Sequence, residues 1–146
     1  MSVTIERAVA ADLPAILDLL RGSALPPDGL DAHLTTTLAA RDGTRLVGCA
    51  ALELYGASAL LRSVAVDPAR RGEGLGRRLT QHACDLGRMH GVRAVYLLTT
   101  TASDFFPKLG FHAITRAEVD PAVRGSVEFT TACPVDALVM RRELDS

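Results

Sequence analysis

The sequence lacks the features that mark several large classes of protein. Its formal net charge is −1 and it contains no long basic run, so a charged face for nucleic acid is not expected. It has no apolar run of membrane-spanning length, no secretory signal peptide and no internal repeat. We therefore expect a cytoplasmic protein with neither a nucleic-acid nor a membrane partner.

Cysteine and histidine are few, and their spacing fits no common ligand set. Three widely separated cysteines are typical of reduced thiols rather than of a disulfide framework. The four histidines share no metal-ligand spacing, so no metal is expected. These residues are Cys49, Cys84 and Cys133, and His33, His82, His90 and His112.

Length and hydrophobic pattern predict the fold class. A chain of 146 residues that is 48% apolar predicts one globular domain spanning residues 1–146. The pattern favours an α/β (α+β) fold, with a mixed sheet of six to seven strands and helices on both faces. Strands are predicted at 3–9, 45–55, 59–66, 94–99, 111–119 and 137–144, helices at 13–22 (capped by Asp12), 30–40, 76–89 and 101–110, and irregular chain at 121–131.

A glycine-rich loop is the most informative segment. Gly72, Gly74 and Gly76 follow a strand that stops at Asp67-Pro68, and they open a helical pattern. Glycine lets backbone N–H groups turn toward an anion at a helix N-terminus. Positive charge is added by Arg70, Arg71, Arg77 and Arg78. The spacing fits neither the P-loop nor the dinucleotide fingerprint. The loop predicts a pyrophosphate site; the alternative is a glycine-rich turn with surface arginines.

The loop and the strand before it carry a family resemblance. The run 71–76, Arg-Gly-Glu-Gly-Leu-Gly, fits Arg/Gln-x-x-Gly-x-Gly/Ala, and Val-Ala-Val-Asp-Pro precedes it at 64–68. It resembles the acetyl-CoA-binding motif of the GNAT N-acetyltransferases. The resemblance implies the GNAT fold, in which two central strands splay apart to admit the cofactor, with acetyl-CoA as cosubstrate. The cofactor-binding residues that it implies are Val64, Ala65, Val66, Arg71, Gly72, Glu73, Gly74, Leu75, Gly76, Arg77, Thr99 and Phe106.

A second segment, residues 102–111, is similar to the family's Ala-x-x-Phe-Tyr-x-Lys-Leu-Gly-Phe signature. Phe106 stands where many members carry a tyrosine that protonates the departing thiolate, and Thr99 stands where an asparagine is common. A thiolate resembles cysteine, with a pKa of ~8.5, so it can leave at mildly alkaline pH without a strong acid. The other candidate proton donors are Tyr96, Thr99, Ser103 and Cys133.

Three segments carry a narrower resemblance. Residues 60–66, 97–106 and 128–137 resemble N-acetylglutamate synthases and a related arsenic-resistance-operon branch, the last segment being the more specific sign of that branch. This implies a small-molecule amine acceptor with a carboxylate, an amino acid or a toxic analogue of one.

The acceptor-side candidates are Arg62 and Ser63. The Arg62 guanidinium can hold a carboxylate through two parallel hydrogen bonds, or it can simply pair with Glu53. Arg116 and Arg124 are alternatives. The loop 25–29 either closes over the acceptor or is a plain connection.

The reaction itself needs a base and a donor to the developing oxyanion. Glu53, near the end of the strand at 45–55, is the candidate base; its other interpretation is a solvated carboxylate beside Arg45 or Arg62. The resemblance implies the Val64 N–H as the oxyanion donor, with direct attack in a ternary complex. Cys133 could shape the acceptor pocket or help to form a homodimer.

Two other functions stay open from the sequence. A non-catalytic acyl-CoA-binding sensor would account for Phe106 in place of tyrosine. Acetylation of protein N-termini or lysines would need a wide or acidic groove, whereas Arg62 favours a carboxylate acceptor.

Overall fold

The computed structural model describes residues 3–100, 104–129 and 137–144, which form one mixed sheet with helices packed on it. The seven strands lie in the order β1-β2-β3-β4-β5-β7-β6. They are β1 (Thr4–Arg7), β2 (Thr37–Asp42), β3 (Arg45–Tyr55), β4 (Ser58–Val66), β5 (Ala94–Thr99), β6 (His112–Ile114) and β7 (Leu138–Glu143). The helices are α1 (Leu13–Gly22), α2 (Leu75–Met89) and α3 (Pro121–Arg124). The predicted fold class is confirmed.

Helices cover both faces of the sheet because each carries an apolar stripe. Leu79, Ala83 and Leu86 of α2 are buried against β2, β3 and β4. Ile16 and Leu20 of α1 are fully buried in a second cluster, which also packs on the sheet. Burying a side chain of this size stabilises the fold by about 1.5–3 kcal/mol.

The two central strands separate part-way along their length. The parallel pairing of β4 with β5 runs only from Ser58 opposite Ala94 to Leu60 opposite Tyr96. Beyond that point β4 continues to Val66 and β5 to Thr99. The strands therefore splay apart at their carboxyl ends, as the family resemblance implies, and this opening positions the site.

A bulge in β4 lies beside the opening. Cys49 pairs with Ala65 and Ala51 pairs with Arg62, so β4 has one residue more than β3 between these pairs. Ser63 takes up the extra length with a φ of +61°, a left-handed conformation that costs a non-glycine residue about 1–3 kcal/mol.

The segment 30–40 was predicted to be a helix, and this prediction is wrong. A 3₁₀ turn, Leu30–Thr36, is followed directly by β2. Both Thr36 and Thr37 donate their hydroxyls to the His33 carbonyl, where the turn ends. β2 then pairs on both sides, with β1 and with β3, and its first four residues are buried. This tertiary pairing outweighs the local helical pattern.

Other boundaries differ from the sequence prediction. The strand expected at 111–119 is reduced to β6, because Thr115 and Glu118 form a capping box that starts a 3₁₀ turn. The irregular chain expected at 121–131 contains α3. The helix expected at 101–110 is a 3₁₀ turn, Phe106–Leu109, and residues 101–103 lie outside the described residues.

Asp12 precedes α1 as predicted, but its carboxylate does not cap that helix. One oxygen accepts the Val9 N–H at 2.7 Å, and the two oxygens accept Arg41 Nη1 and Nη2 at 2.6 and 2.5 Å. The Arg41 hydrogen bond, stronger than the opposing effect of burial, lowers the pKa of Asp12. Asp12 thus joins the start of α1 to β2.

Candidate active site

The opening between β4 and β5 is a cleft of about 1060 Å³. One wall is the carboxyl half of β4 from Leu61 to Val66, and the opposite wall includes Leu97 to Thr100. The glycine loop with the start of α2 lies at one end. Residues 23–26, Asp28 and Glu128 form another part of the lining. The site therefore joins the glycine loop to a polar, partly buried region.

The glycine loop has the backbone that its sequence predicts. Gly72 and Gly74 have φ values of +84° and +78°, where a side chain is strained. Gly74 is the N-cap of α2 and makes no side-chain cap, so the first N–H groups of the helix have no capping side chain. A Cβ on Gly76 would lie 3.3 Å from the Phe105 ring, so this glycine permits close packing.

Two arginines give the loop its positive charge. Arg71 and Arg77 are exposed, line the cleft and form no ion pair with a described residue. Arg70 is different, because it pairs with Asp42 at 2.8 Å and with Glu73 at 3.2 Å. The N-terminus of α2 carries a partial positive charge, and Arg71 and Arg77 add full positive charges. Together they favour an anion at this end of the cleft.

The β4 bulge presents backbone groups to the cleft. Leu61 to Val66 line the cleft, and beyond Leu60 the strand has no pairing with β5. Ser63 and Val64 both lie opposite Ala50. Cys49 donates its thiol to the Ser63 carbonyl at 3.2 Å, and burial raises the pKa of this thiol to about 12. Cys49 therefore supports the bulge as a small buried group.

Arg62 is held by the chain itself. Its side chain is 0% exposed, and Nη1 donates to the Asp28 carbonyl at 2.6 Å and to Glu53 Oε2 at 3.0 Å. Nη2 donates to the Pro26 carbonyl at 3.0 Å, and Nε donates to Ser63 Oγ at 3.1 Å. Four of its five N–H donors are thus engaged within the described residues, which leaves no pair for a bidentate carboxylate.

Glu53 lies behind Arg62 rather than in the cleft lining. Tyr55 donates to its Oε1 at 2.5 Å, and His33 Nε2 lies 3.7 Å from Oε2. Burial alone would raise the pKa of Glu53, but hydrogen bonds from Ser126, Tyr55 and Arg62 outweigh it and hold the pKa below its ordinary value. Burial and the bond to Glu53 raise the pKa of Tyr55 to about 12.

Glu128 is a second carboxylate near Arg62, and it does line the cleft. It is 5% exposed, and its Oε2 lies 3.7 Å from Arg62 Nη2. In the sequence, Glu128 is distinguished only as the first residue of the segment 128–137. Its place in the site depends on the approach to Arg62 of β4, which no local pattern reveals.

Phe106, at the position of the family's tyrosine, lines the cleft and is 7% exposed. Its ring packs edge-on against Phe105 and Phe111, with centroids 5.0 and 5.7 Å apart. It supplies no proton. Of the other predicted donors, Thr99 lines the cleft and Tyr96 does not, whereas Ser103 and Cys133 lie outside the described residues.

Most of the residues predicted from sequence do line the cleft. They are Arg62, Ser63, Val64, Ala65, Val66, Arg71, Gly72, Gly74, Leu75, Gly76, Arg77, Thr99 and Phe106. Glu73 and Glu53 lie outside the lining. Of the alternative acceptor residues, Arg124 donates to the Val119 and Ala117 carbonyls, and Arg116 lies 5.6 Å from the centre of the Phe129 ring.

Two further properties concern the described residues as a whole. Among them, no group of three or more His, Cys, Asp or Glu side chains is placed to hold a metal ion. Within the same residues, none of the helices has the length and apolar content that crossing a bilayer requires.

The class of protein follows from this fold and from comparison with known families. The acetyltransferase (GNAT) domain matches residues 33–113, more than half of the chain, and the chain belongs to this family. The match includes the strands that splay apart, the glycine loop and α2. The chain is therefore an acetyltransferase domain of the GNAT type.

Particular relatives are more distant. The chain is 27% identical over 128 residues to an amino-acid acetyltransferase of Neisseria meningitidis, covering 80% of this chain but only 29% of that protein. It is 38% identical over 80 residues to a glucosamine 6-phosphate N-acetyltransferase of Trypanosoma brucei brucei, covering 49% of this chain and 54% of that one. The N-acetylglutamate synthase of Neisseria gonorrhoeae, solved with coenzyme A and N-acetyl-glutamate, superposes with a TM-score of 0.86 at 23% identity, covering 100% of this chain and 36% of that one.

Proposed function

We propose that this chain transfers the acetyl group of acetyl-CoA to the amine of a small acceptor that carries a carboxylate. The acceptor class is an amino acid or a toxic analogue of one, arsenic-bearing analogues included. The observation that carries the proposal is the cleft in which the glycine loop, the β4 bulge and Arg62 meet. The reaction is direct attack of the amine on the thioester within a ternary complex.

At the cofactor end, the diphosphate binds the loop 71–77. The N-terminus of α2 provides uncapped N–H groups, and Arg71 and Arg77 line the same space. The left-handed backbone at positions 72 and 74 favours glycine, and because glycine has no side chain the path of the ligand stays clear. In this assignment Glu73 lies outside the cleft and takes part only by pairing with Arg70.

At the reacting centre, β4 supplies the backbone groups. The pantetheine arm takes the place of the missing strand pairing and bonds to the amides of Val64 and Val66. The Val64 N–H, within the bulge, donates to the oxygen of the tetrahedral intermediate. The bulge supports this role because Ser63 and Val64 share one partner position on β3.

At the acceptor end, Arg62 and Ser63 remain the proposed binding residues, with one change in geometry. Because Arg62 already donates to Pro26 and Asp28, it has one Nη2 donor for an acceptor carboxylate rather than a bidentate pair. The same bonds fix the loop 25–29, so Arg62 shapes the acceptor wall as well as charging it. The amino-acid acetyltransferase relatives support a carboxylate acceptor.

The base is one of two carboxylates. Glu53, proposed from the sequence, has a lowered pKa and lies outside the cleft lining. Glu128 lines the cleft. The leaving thiolate needs no strong acid at mildly alkaline pH, so Phe106 is compatible with turnover.

Steady-state release of coenzyme A thiol over an acceptor panel tests the proposal. The panel holds glutamate, a phosphinothricin-like analogue, an arsenic-bearing glutamate analogue, glucosamine 6-phosphate and a peptide with a free N-terminus. Glutamate diamide, which keeps the amine and loses both carboxylates, is the matched control. We expect turnover with a carboxylate acceptor and at least 10-fold less with its amide.

Four outcomes would contradict the proposal. Equal turnover of acid and amide would remove the carboxylate requirement. Preferred turnover of the peptide would favour protein acetylation, and preferred turnover of the sugar phosphate would follow the Trypanosoma relative. Tight acetyl-CoA binding with no acceptor consumed would favour a sensor.

A further inference from the structure

We infer that Glu128 is the group that binds the acceptor's ammonium and takes its proton, with Arg62 holding the acceptor's carboxylate in position. The inference rests on the proposed function, because it assigns a further catalytic residue to that reaction. It differs from the sequence-based assignment of the base to Glu53.

The position of Glu128 carries the inference. Its side chain is 7% exposed and lines the same cleft as Ser63 and Val64. Its Oε2 lies 3.7 Å from Arg62 Nη2, and the same guanidinium bonds Ser63 Oγ at 3.1 Å. The Arg62 guanidinium therefore lies between Glu128 and Ser63, the residue before Val64. An amine that meets this carboxylate lies at the acceptor side of the reacting centre.

Glu53 is placed for a different task. Both of its oxygens are engaged within the chain, Oε1 by Tyr55 and Oε2 by Arg62. It is 0% exposed and outside the cleft lining. Glu53 is thus a positioning residue that fixes the guanidinium from behind.

The backbone around Glu128 is built to hold it in the wall of the cleft. Its N–H donates to Ser126 Oγ at 3.2 Å, and Phe129 beside it packs under Arg116. A Cβ on Gly29 would lie 3.1 Å from Val127 Cγ1, and Gly29 has a φ of +72°. A side chain at position 29 would be strained and would crowd Val127, so glycine favours the close approach of the loop 25–29 to Val127.

The local charges favour a cation at this point. One guanidinium, Arg62, lies between two carboxylates, Glu53 at 3.0 Å and Glu128 at 3.7 Å. An ionised Glu128 carboxylate in the lining of the cleft attracts an ammonium. Further titratable or charged groups nearby are His33 and Tyr55 beside Glu53, Asp28 in the cleft lining and Arg116 over the Phe129 ring.

The proton balance is as follows. The acceptor's ammonium gives one proton to the Glu128 carboxylate, and the neutral amine attacks the thioester carbonyl. The C–N bond forms, the C–S bond breaks, and the nitrogen loses a second proton as coenzyme A leaves as its thiol. Glu128 returns its proton to water after the amide product departs. The net products are the acetamide, the thiol and one released proton.

The test compares Glu128→Gln with Glu53→Gln and with Glu143→Gln, a control at the far end of β7 whose carboxylate is 63% exposed. Three readouts are taken for each: kcat against pH with the best acceptor, acetyl-CoA affinity by calorimetry, and thermal unfolding. For Glu128→Gln we expect kcat to fall roughly 10²–10⁴-fold and the acidic limb of the profile of kcat against pH to disappear. Its affinity for acetyl-CoA should not change. Glu143→Gln keeps the kcat and the limb of the unsubstituted protein.

A second variant separates chemistry from folding. Glu128→Ala also loses activity, and added formate should restore part of it, since formate supplies a carboxylate in the space that the shortened side chain leaves. A purely structural role predicts no rescue. Retention of kcat and of the acidic limb by Glu128→Gln would overturn the inference, as would loss of the limb in Glu53→Gln alone. If the unsubstituted protein consumes no acceptor, the proposed function fails first.

Discussion

Replacing Arg62 by methionine is the sharpest test of the buried cluster. Methionine keeps most of the apolar stem and removes the guanidinium. The change leaves Glu53 without its 3.0 Å partner and leaves the Pro26 and Asp28 carbonyls without their donors. Removing one partner of a buried ion pair costs about 3–5 kcal/mol, because the remaining charge stays buried and uncompensated.

The pH dependence of this loss identifies its cause. In the unsubstituted protein the pKa of Glu53 is lowered, so the stability it contributes is present above its unfolded pKa of ~4.3 and is lost as the pH falls through the folded pKa. Without Arg62, one of the groups that lower the pKa of Glu53 is gone while the effect of burial remains, so this pKa is higher than in the unsubstituted protein. The deficit of the variant therefore shrinks as the pH falls from 7.5 to 4, because protonation of Glu53 removes more stability from the unsubstituted protein than from the variant.

The assay is urea unfolding followed by far-ultraviolet circular dichroism, since the chain contains no tryptophan. Arg45→Met is the matched control, because Arg45 is 73% exposed and makes one ion pair with Asp67 at 3.0 Å. The control should lose less than about 1 kcal/mol at either pH. An Arg62→Met deficit no larger than that of Arg45→Met, or one that is no smaller at pH 4 than at pH 7.5, would contradict this explanation.

Three other substitutions test separate parts of the molecule. Gly74→Asp should weaken acetyl-CoA binding at least 100-fold by calorimetry, since it puts a carboxylate beside the diphosphate. Gly56→Asp is the control, because Gly56 also has a positive φ and open space around it, and it should not weaken binding. Equal affinities of the two variants would contradict the assignment of the loop. Gly29→Ala should lower the free energy of unfolding in urea by about 1–3 kcal/mol and raise the acceptor KM more than the acetyl-CoA KM. An unchanged acceptor KM would show that the contact between Gly29 and Val127 does not affect acceptor binding. Asp12→Ala should lower the free energy of unfolding by about 2 kcal/mol at pH 7. The loss should shrink as the pH falls, because the Asp12 carboxylate of the unsubstituted protein becomes protonated. A loss that does not change with pH would argue against the Arg41 pair as its source.

The local parts of the site could be predicted from the sequence. The glycine loop and α2 follow from residue chemistry within one short segment, and the structure starts α2 at Leu75, one residue before the prediction. The splayed strands follow from the family resemblance, and the end of β4–β5 pairing at Leu60 agrees with it. These features depend on neighbours in sequence or on a motif, so pattern reading is sufficient.

The parts that depend on distant contacts could not be predicted. β2 has a helical pattern, and only its pairing with β1 and β3 makes it a strand. Arg62 was expected either to bind an acceptor or to pair with Glu53, but the carbonyls of Pro26 and Asp28 occupy its donors through a loop far away in sequence. Glu128 comes to the same cluster from beyond α3. Such contacts arise from topology, which a single sequence does not specify.

A crystal structure with acetyl-CoA bound is the most direct test of the central claim, that the cleft between β4 and β5 is the cofactor site. The account predicts the diphosphate within hydrogen-bond distance of backbone N–H groups in residues 72–77, and the thioester oxygen facing the Val64 N–H. A diphosphate held elsewhere, with the pantetheine arm outside the opening between β4 and β5, would contradict it.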